Sequence, residues 1–486
     1  MRKLLLFTIL AILSLNMSAQ GNEAWEAAWS GYQTESRGIR WFTVLKDPNL
    51  YVAWSVAYDG SGNGDDICAL GVTTDGGYTW TTYDPASLEG AVNPGISMVF
   101  PTTSTTAYLA AYKRPGSMGD GGLWKTVDGG ATWTRINTSS MYTDANSFPN
   151  LIYFFDKNNG FSQGDPLYGE FEMYYTTDAG ATWTPIDGAN IDDPLAGEYG
   201  YTNGYAAAGS TVWFTTNKGR IFRSTDQGHT WTAFQTPLTD FGGQADGGNI
   251  TFANDNDGWI QRRNGELYQT TDGGETWTLM NPTDFNAYGT DIAYIPGTTN
   301  TLIASEADYN LPDYGTRISY DGGQTWTKIL KYKFSFMTDY DDLGNILQDA
   351  DGNPVENFQH TALGFRDMSF GLSGNFSYQD DPNSDTDLGD LGVFIFHNDY
   401  MNNISTDKVA ELQVYPNPAK DVVNVMTKNN IKNISVYDVT GKEVIHLNNL
   451  DLNNARVDVS GLEKGIYLMK IVDNKNAQET IKLVVK

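Results

Sequence analysis

The sequence predicts an all-β protein. It consists of a seven-bladed β-propeller, with six blades as the alternative count, followed by a small C-terminal Ig-like β-sandwich. Three observations carry this. A near-identical phrase of eight residues returns six times at almost constant spacing. The stretches between copies are short, rich in Val, Ile, Tyr, Phe and Thr, and punctuated by Asn, Asp and Gly turns. The segment 412–486 has its own apolar–polar alternation and more lysine.

The chain opens on MRKLLLFTILAILSLNMSAQG. Arg2 and Lys3 precede a short apolar run, and Ser18-Ala19 supplies small residues before a cut ahead of Gln20. Residues 1–19 therefore read as a secretory signal peptide, too short for a stable membrane span, and no later stretch approaches the length of one. With 40% hydrophobic and 13% aromatic residues a folded core is available, and 51 glycines suit many tight turns. The formal net charge of −28 argues against nucleic acid as a partner, because phosphates would be repelled. A lone cysteine, Cys68 in "ICALGV", leaves no internal disulfide. Cys68 reads as a small buried hydrophobe.

Residues 20–400 form the repeat region. The six copies align as Ser/Thr-x-Asp-x-Gly-x-Thr-Trp, with Asp75, Asp128, Asp178, Asp226, Asp272 and Asp321 separated by 53, 50, 48, 46 and 49 residues. That period leaves room for about four strands per unit, which is a propeller blade. Within the phrase, the Asp side chain is expected to accept N–H groups one to three residues on, closing a turn. The Gly allows a positive φ. Trp80, Trp133, Trp183, Trp231, Trp277 and Trp326 each bring a large apolar surface to pin a hairpin. Six copies speak for architecture, since a catalytic site is normally built once. A seventh unit without the phrase is read in "ALGFRDMSFGLSGNF" and "LGVFIFHND", and "WEAAWSGYQTESRGIRWFTVL" near the N-terminus is expected to help close the ring against it.

These residues resemble the Asp-box, or BNR repeat, of sialidase-like and sortilin-like β-propellers, over about residues 30–400. The resemblance implies that the boxes sit in the turn between the third and fourth strands of a blade, away from the active centre. The same repeat occurs in photosystem assembly factors, a context that the export signals argue against.

After a linker at 401–411 comes "LQVYPNPAKDVVNVMT" and three further alternating stretches, with turns at "NPAKD", "VTGKE" and "SGLEKG". Tyr415, Pro416, Asn417, Pro418, Gly441, Gly465 and Tyr467 resemble the type A C-terminal sorting domain of the type IX secretion system. This implies a Bacteroidota-type envelope, export across both membranes, the secretion machinery as a partner, and a secreted or surface-attached product.

Sialidase chemistry needs three arginines around a substrate carboxylate, because a guanidinium pairs a carboxylate in bidentate fashion. The nearest counterpart to the family's first arginine is Arg40 in "GIRWFTVL", and the triad does not assemble from the sequence. Paired carboxylates can hydrolyse a glycoside, and Asp165 in "GDPL" and Asp367 in "FRDMSF" are candidates to face the channel. In "DDPNSDTDLGD", Asp381, Asn383, Asp385 and Asp387 alternate like the start of a calcium loop, but Thr386 and Phe394 stand where that loop needs Gly and Glu. Four scattered histidines make no zinc site. No cofactor is implied. The expected function is an exported binding module for a glycan or protein, using loops at the channel mouth such as "GEYGYTNGY"; the alternative is a glycoside hydrolase with a divergent site.

Overall fold

The computed structural model describes residues 23–32, 37–59, 67–83, 87–136, 140–243, 247–285, 289–306, 315–331, 360–375, 392–398, 412–438, 442–448, 450–474 and 478–486. The signal peptide, the linker, Gly441 and the acidic stretch 381–387 lie outside these residues. The chain divides into two compact units, 1–397 and 398–486.

In the first unit the strands fall into antiparallel sets of four, apart from a small three-stranded sheet of Ser87–Leu88, Ala91–Val92 and Met118–Gly119. Five are separate sheets, the first being Arg37–Val44, Ala53–Asp59, Leu70–Thr73 and Thr81–Tyr83. An eight-stranded sheet holds the other two sets. One is Gly289–Tyr294, Leu302–Glu306, Gly315–Ser319 and Thr327–Lys331. The other is His360–Asp367, Phe370–Asn375, Gly392–Asn398 and, as its outer strand, the N-terminal Glu23–Trp29. That strand also runs parallel to Thr327–Lys331, pairing Ala24 with Leu330. Trp25 fixes it: the ring is buried, its Nε1 donates to Thr316 Oγ1 at 2.6 Å, and it meets Phe365 and Phe396 edge-on.

The first strands of the sets pack in a closed order. Arg37–Val44 is followed by Gly95–Pro101, Pro149–Phe154, Gly200–Ala208, Gly248–Phe252, Gly289–Tyr294 and His360–Asp367, which returns to Arg37–Val44. Second strands carry the cores between sheets, and the aromatic side chains near their starts, Trp54, Tyr108, Phe161, Trp213 and Trp259, are all buried. Cys68 is buried beside this core, as its apolar surroundings predict.

All six repeats have one geometry. In the first, Thr73 Oγ1 donates to Asp75 Oδ1 (2.8 Å) and accepts Gly77 N–H (2.9 Å). Asp75 also accepts Thr79 N–H at 2.9 Å and the Thr79 hydroxyl at 2.6 Å. The aspartate thus reaches four residues on, further than the turn expected from the sequence. The Ser/Thr takes the nearer glycine N–H, so two side chains share the loop's donors. The repeats at Asp128, Asp178, Asp226, Asp272 and Asp321 do the same.

Each repeat is tied to its own set, and three are tied to the preceding set as well. The residue after the aspartate donates its N–H to the hairpin between the first and second strands of its own set, as Gly76 does to Tyr51 O and Ala179 to Asn158 O, both at 3.0 Å. The preceding set reaches the same loop from the other side. Tyr108 donates to Ala179 O (2.9 Å), Trp213 to Gly273 O (2.9 Å) and Trp259 to Gly322 O (3.0 Å). Glycine is required at Gly77 and Gly130 twice over: φ is +102° and +99°, and a Cβ would lie 2.8 Å from Leu372 and 2.9 Å from Trp54 of the preceding set. The Trp rings close the gaps. Trp133 meets Trp54 edge-on, and Trp231 meets Phe161, each across to the preceding set.

The second unit is a six-stranded arrangement organised by one long strand, Val422–Tyr437. Its first part pairs Gln413–Tyr415 and Leu452–Asp458, and its second part pairs Glu443–Leu447 and Gly465–Asp473. Register shifts between Met426 and Ile431 separate the two parts. The core is aliphatic, with Val423, Val425, Ile434, Val457, Met469 and Leu483 buried. Asn417 braces the last strand, donating to Lys482 O (2.7 Å) and accepting Val484 N–H (2.9 Å). Tyr467 is buried and donates to Glu463 O at 2.9 Å.

Two stability changes follow. Trp231→Ala empties a buried site and should cost ~3–5 kcal/mol in denaturant unfolding. Tyr108→Phe removes one hydrogen bond between sets and should cost about 1 kcal/mol, leaving the fold intact by circular dichroism.

Candidate functional site

The first strands enclose a cavity of about 460 Å³, within the range of small-molecule pockets. Its wall comes from five of the seven first strands, through Trp41 and Phe42, Tyr201 to Ala207, Gly248 to Phe252, Thr290 to Tyr294, and Leu363 with Phe365. Irregular pairing shapes this wall. Register shifts interrupt the first strand between Ile39 and Trp41, between Gly200 and Tyr205, and between Gly289 and Asp291. An extra residue in a strand re-aims side chains, and the positions so displaced are Arg40, Tyr201 to Gly204, and Thr290.

Arg40 lines the cavity, is exposed, lies 4.3 Å above the Trp41 ring, and donates to Thr202 Oγ1 at 3.4 Å. Lys46 lines the same cavity and donates to the Tyr153 hydroxyl at 3.1 Å. Asn203 sits at φ +54°, and its buried Oδ1 has no hydrogen-bond partner. Tyr201 donates to Asp240. Tyr205 and Tyr294 add aromatic surface.

Asp291 is the one carboxylate among the residues lining this cavity. It accepts Ile292 N–H and, across to the last set, Leu363 N–H, both at 2.9 Å. Burial pushes its carboxyl up to about 7, against the pull of those two N–H groups. The charged groups sharing its cavity are Arg40 and Lys46, with the Tyr201, Tyr205 and Tyr294 hydroxyls.

The sequence candidates separate. Arg40 is in the cavity wall. Asp165 is not; it accepts Asn150 Nδ2 at 2.6 Å and Gly200 N–H at 3.1 Å, and burial raises its carboxyl to about 6 despite both bonds. Asp367, expected to face the channel, instead belongs to the hairpin joining His360–Asp367 to Phe370–Asn375. There Arg366 donates to it at 2.7 Å, donates to Leu50 O of the first set at 2.7 Å, and lies over Tyr51. Burial opposes its charge, but the bonds from Arg366 and Ser369 outweigh it and hold the carboxyl below its usual value. Arg366 and Asp367 thus clamp the last set to the first. The repeat aspartates are also outside the cavity, and the Thr132 hydroxyl and N–H pull Asp128 down to about 2.

Other arginines are engaged elsewhere: Arg220 with Glu198, Arg223 with Glu275 at 2.7 Å, Arg114 with Asn93. Among the described residues, no group of three His, Cys, Asp or Glu side chains is placed to hold a metal, and no helix is long and apolar enough to cross a membrane. Sequence reasoning missed Asp291 and Lys46. "GEYGYTNGY" was the available signal for Tyr201, Asn203 and Tyr205.

Residues 413–486 match the family model for the secretion system C-terminal sorting domain. Residues 171–291 match the model described as sortilin, neurotensin receptor 3, and 317–328 match the BNR/Asp-box repeat. The chain therefore carries Asp-box repeats in a propeller-like fold and a C-terminal sorting domain. It is exported by type IX secretion, to the cell surface or the medium. No curated protein matches the sequence. Solved structures with similar folds include YCF48 from Cyanidioschyzon merolae (16% identity, 78% of this chain and 99% of that one, TM-score 0.47). The GH74 xyloglucanase from Xanthomonas campestris is similar at 12% identity, 94% and 81% coverage and TM-score 0.41. PorZ, a surface component of the type IX secretion system of Porphyromonas gingivalis, is similar at 12% identity, 92% and 70% coverage and TM-score 0.28. Likeness this distant says nothing of ligand or activity.

A proton on Asp291 is held by the folded chain and released by the unfolded chain between about pH 4 and 7. Its contribution to stability is therefore full below pH 4 and lost as pH rises through 7. Asp291→Asn should flatten that part of the stability profile, seen as a smaller fall in Tm for the variant than for the parent as pH rises across this window.

Proposed function

We propose that the first unit is a seven-bladed propeller that binds a glycan or a protein segment in its channel, and that the sorting domain delivers this binding module to the outside of the cell. The observation that carries the binding reading is the make-up of the channel wall. Hydrolysis of a glycoside requires two carboxylates, one as acid and one as base or nucleophile. Among the described residues that line the cavity, Asp291 is the one carboxyl group, and burial raises it to about 7. Among the described residues Arg40 is the one guanidinium in the wall, so three arginines do not converge there on a substrate carboxylate. The wall is otherwise Gly, Ala, Thr, Asn and aromatic residues, which suit recognition more than proton transfer. The Asp-boxes hold blades together and take no part in binding.

The test is a glycan array together with a panel of chromogenic glycosides, using the exported chain. Saturable binding without turnover is expected, and it should weaken on Arg40→Gln. Turnover lost on Arg40→Gln or Asp165→Asn would overturn the binding reading in favour of a hydrolase.

A further inference from the structure

The end of the channel at which the first strands begin carries an aromatic corner. Tyr199 and Tyr201 meet nearly at right angles where Gly200–Ala208 starts, with ring centroids 5.6 Å apart and planes inclined by 72°. Tyr201 lines the cavity, and Tyr199 stands beside it with 43% of its surface exposed. The two rings make a floor and a wall at the channel mouth.

Both rings are held in place by the fold. Tyr201 donates to Asp240, which also accepts Gly242 N–H at 2.9 Å. The end of the Tyr201 ring rests on Gly242, where a Cβ would come 2.4 Å from Cζ. Asn217 pins the Tyr199 backbone: its Oδ1 accepts Tyr199 N–H at 2.8 Å, and its own N–H donates to Tyr199 O at 3.1 Å. The neighbouring Glu198 is buried. Its carboxylate accepts Arg220 Nε–H at 3.0 Å, the Thr216 hydroxyl at 2.6 Å and Leu195 N–H at 2.7 Å. The loop that carries Tyr199 is thus tied to the hairpin between the second and third strands of its own set. A ring fixed in this way loses little freedom when a ligand packs on it, which favours binding.

Three constraints say what packs there. The whole chain carries a formal net charge of −28, which disfavours an anionic ligand. Among the described residues that line the cavity Trp41 is the one tryptophan, and its Nε1 is buried, so its ring N–H is not offered to a peptide carbonyl. The side chains that continue the wall from Tyr201 include Thr202 and Asn249, which are polar and uncharged. A flat C–H face bordered by hydroxyls meets all three. A pyranose with equatorial substituents has that shape, and β-linkage strings such units into an extended chain.

Resting on the binding reading above, we propose that Tyr199 and Tyr201 form the entry subsite for a neutral, β-linked oligosaccharide of equatorially substituted pyranoses, with one unit packed in the corner of the two rings and the chain running on into the cavity. No bond is made or broken.

The experiment is titration calorimetry on the exported chain with cellopentaose, glucose, β-1,4-galactopentaose, penta-galacturonate and deca-proline. Cellopentaose should bind tightest. Tyr199→Ala should weaken it about three- to tenfold, and Tyr199→Phe, which keeps the ring, should leave it unchanged. Gly242→Ala should weaken it as well, because the added Cβ displaces the Tyr201 ring, with the circular dichroism of the parent retained. Cellopentaose binding that neither Tyr199→Ala nor Gly242→Ala altered would overturn the subsite while keeping the binding reading. Equal affinity for glucose or galactopentaose would overturn the proposed ligand class. So would tighter binding of penta-galacturonate, or of deca-proline, which would make the occupant a peptide. If none of the five bound, the subsite and the binding reading would both fall.

Discussion

A ring of sheets must close, and here closure is made by a strand from the far end of the chain. The last set of four strands has only three of its own, and Glu23–Trp29 is the fourth. Until that strand is in place, Gly392–Asn398 has an unpaired edge, and the Trp25 indole is not packed on Phe365 and Phe396. The Arg366–Asp367 clamp on Leu50 and Tyr51 joins the last set to the first from the hairpin side. The channel, and everything that lines it, depends on this junction, because first strands from both ends of the unit form its wall.

The repeats answer a different need. Neighbouring sheets touch through apolar side chains that have little directional preference, so something must fix their angle. A loop held by one aspartate and one Ser/Thr does this, with the hairpin of its own set bonded on one side and, in three of the six, an aromatic donor from the preceding set on the other. The aspartates stay ionised to low pH because hydroxyl and N–H donors surround the charged form. Asp291 is the opposite case, a carboxyl raised by burial at the channel wall. The contrast separates the two kinds of aspartate by place: identical and repeated where the ring is fastened, single and perturbed at the channel wall.

The fold was largely legible in the sequence, because its devices are local. A phrase of eight residues contains the whole hydrogen-bonded loop, and the alternation in 412–486 specifies its own strands. The repeat phrase gave the loop but not its reach, since nothing local says that the Ser/Thr takes the nearer glycine N–H and leaves the aspartate to span four residues. The site was less legible. Arg40 and the "GYTNGY" stretch stood out as a charged and an aromatic insertion. Asp291 did not, because "GTDIAY" looks like any strand entry, and what distinguishes it is a register shift and a partner, Leu363, seventy-two residues away. Asp367 misled for the same reason: its neighbour Arg366 is visible in the sequence, but the first-set carbonyl that Arg366 clamps is not.

The most direct test of the account is amide hydrogen exchange in the exported chain and its Trp25→Ala variant. Closure by the N-terminal strand predicts faster exchange in the two strands that flank it, Thr327–Lys331 and Gly392–Asn398, with protection of the interior sets such as Gly200–Ala208 largely retained. Unchanged protection in both flanking strands would contradict it, since the ring would then be closed without the strand on which the channel is argued to depend.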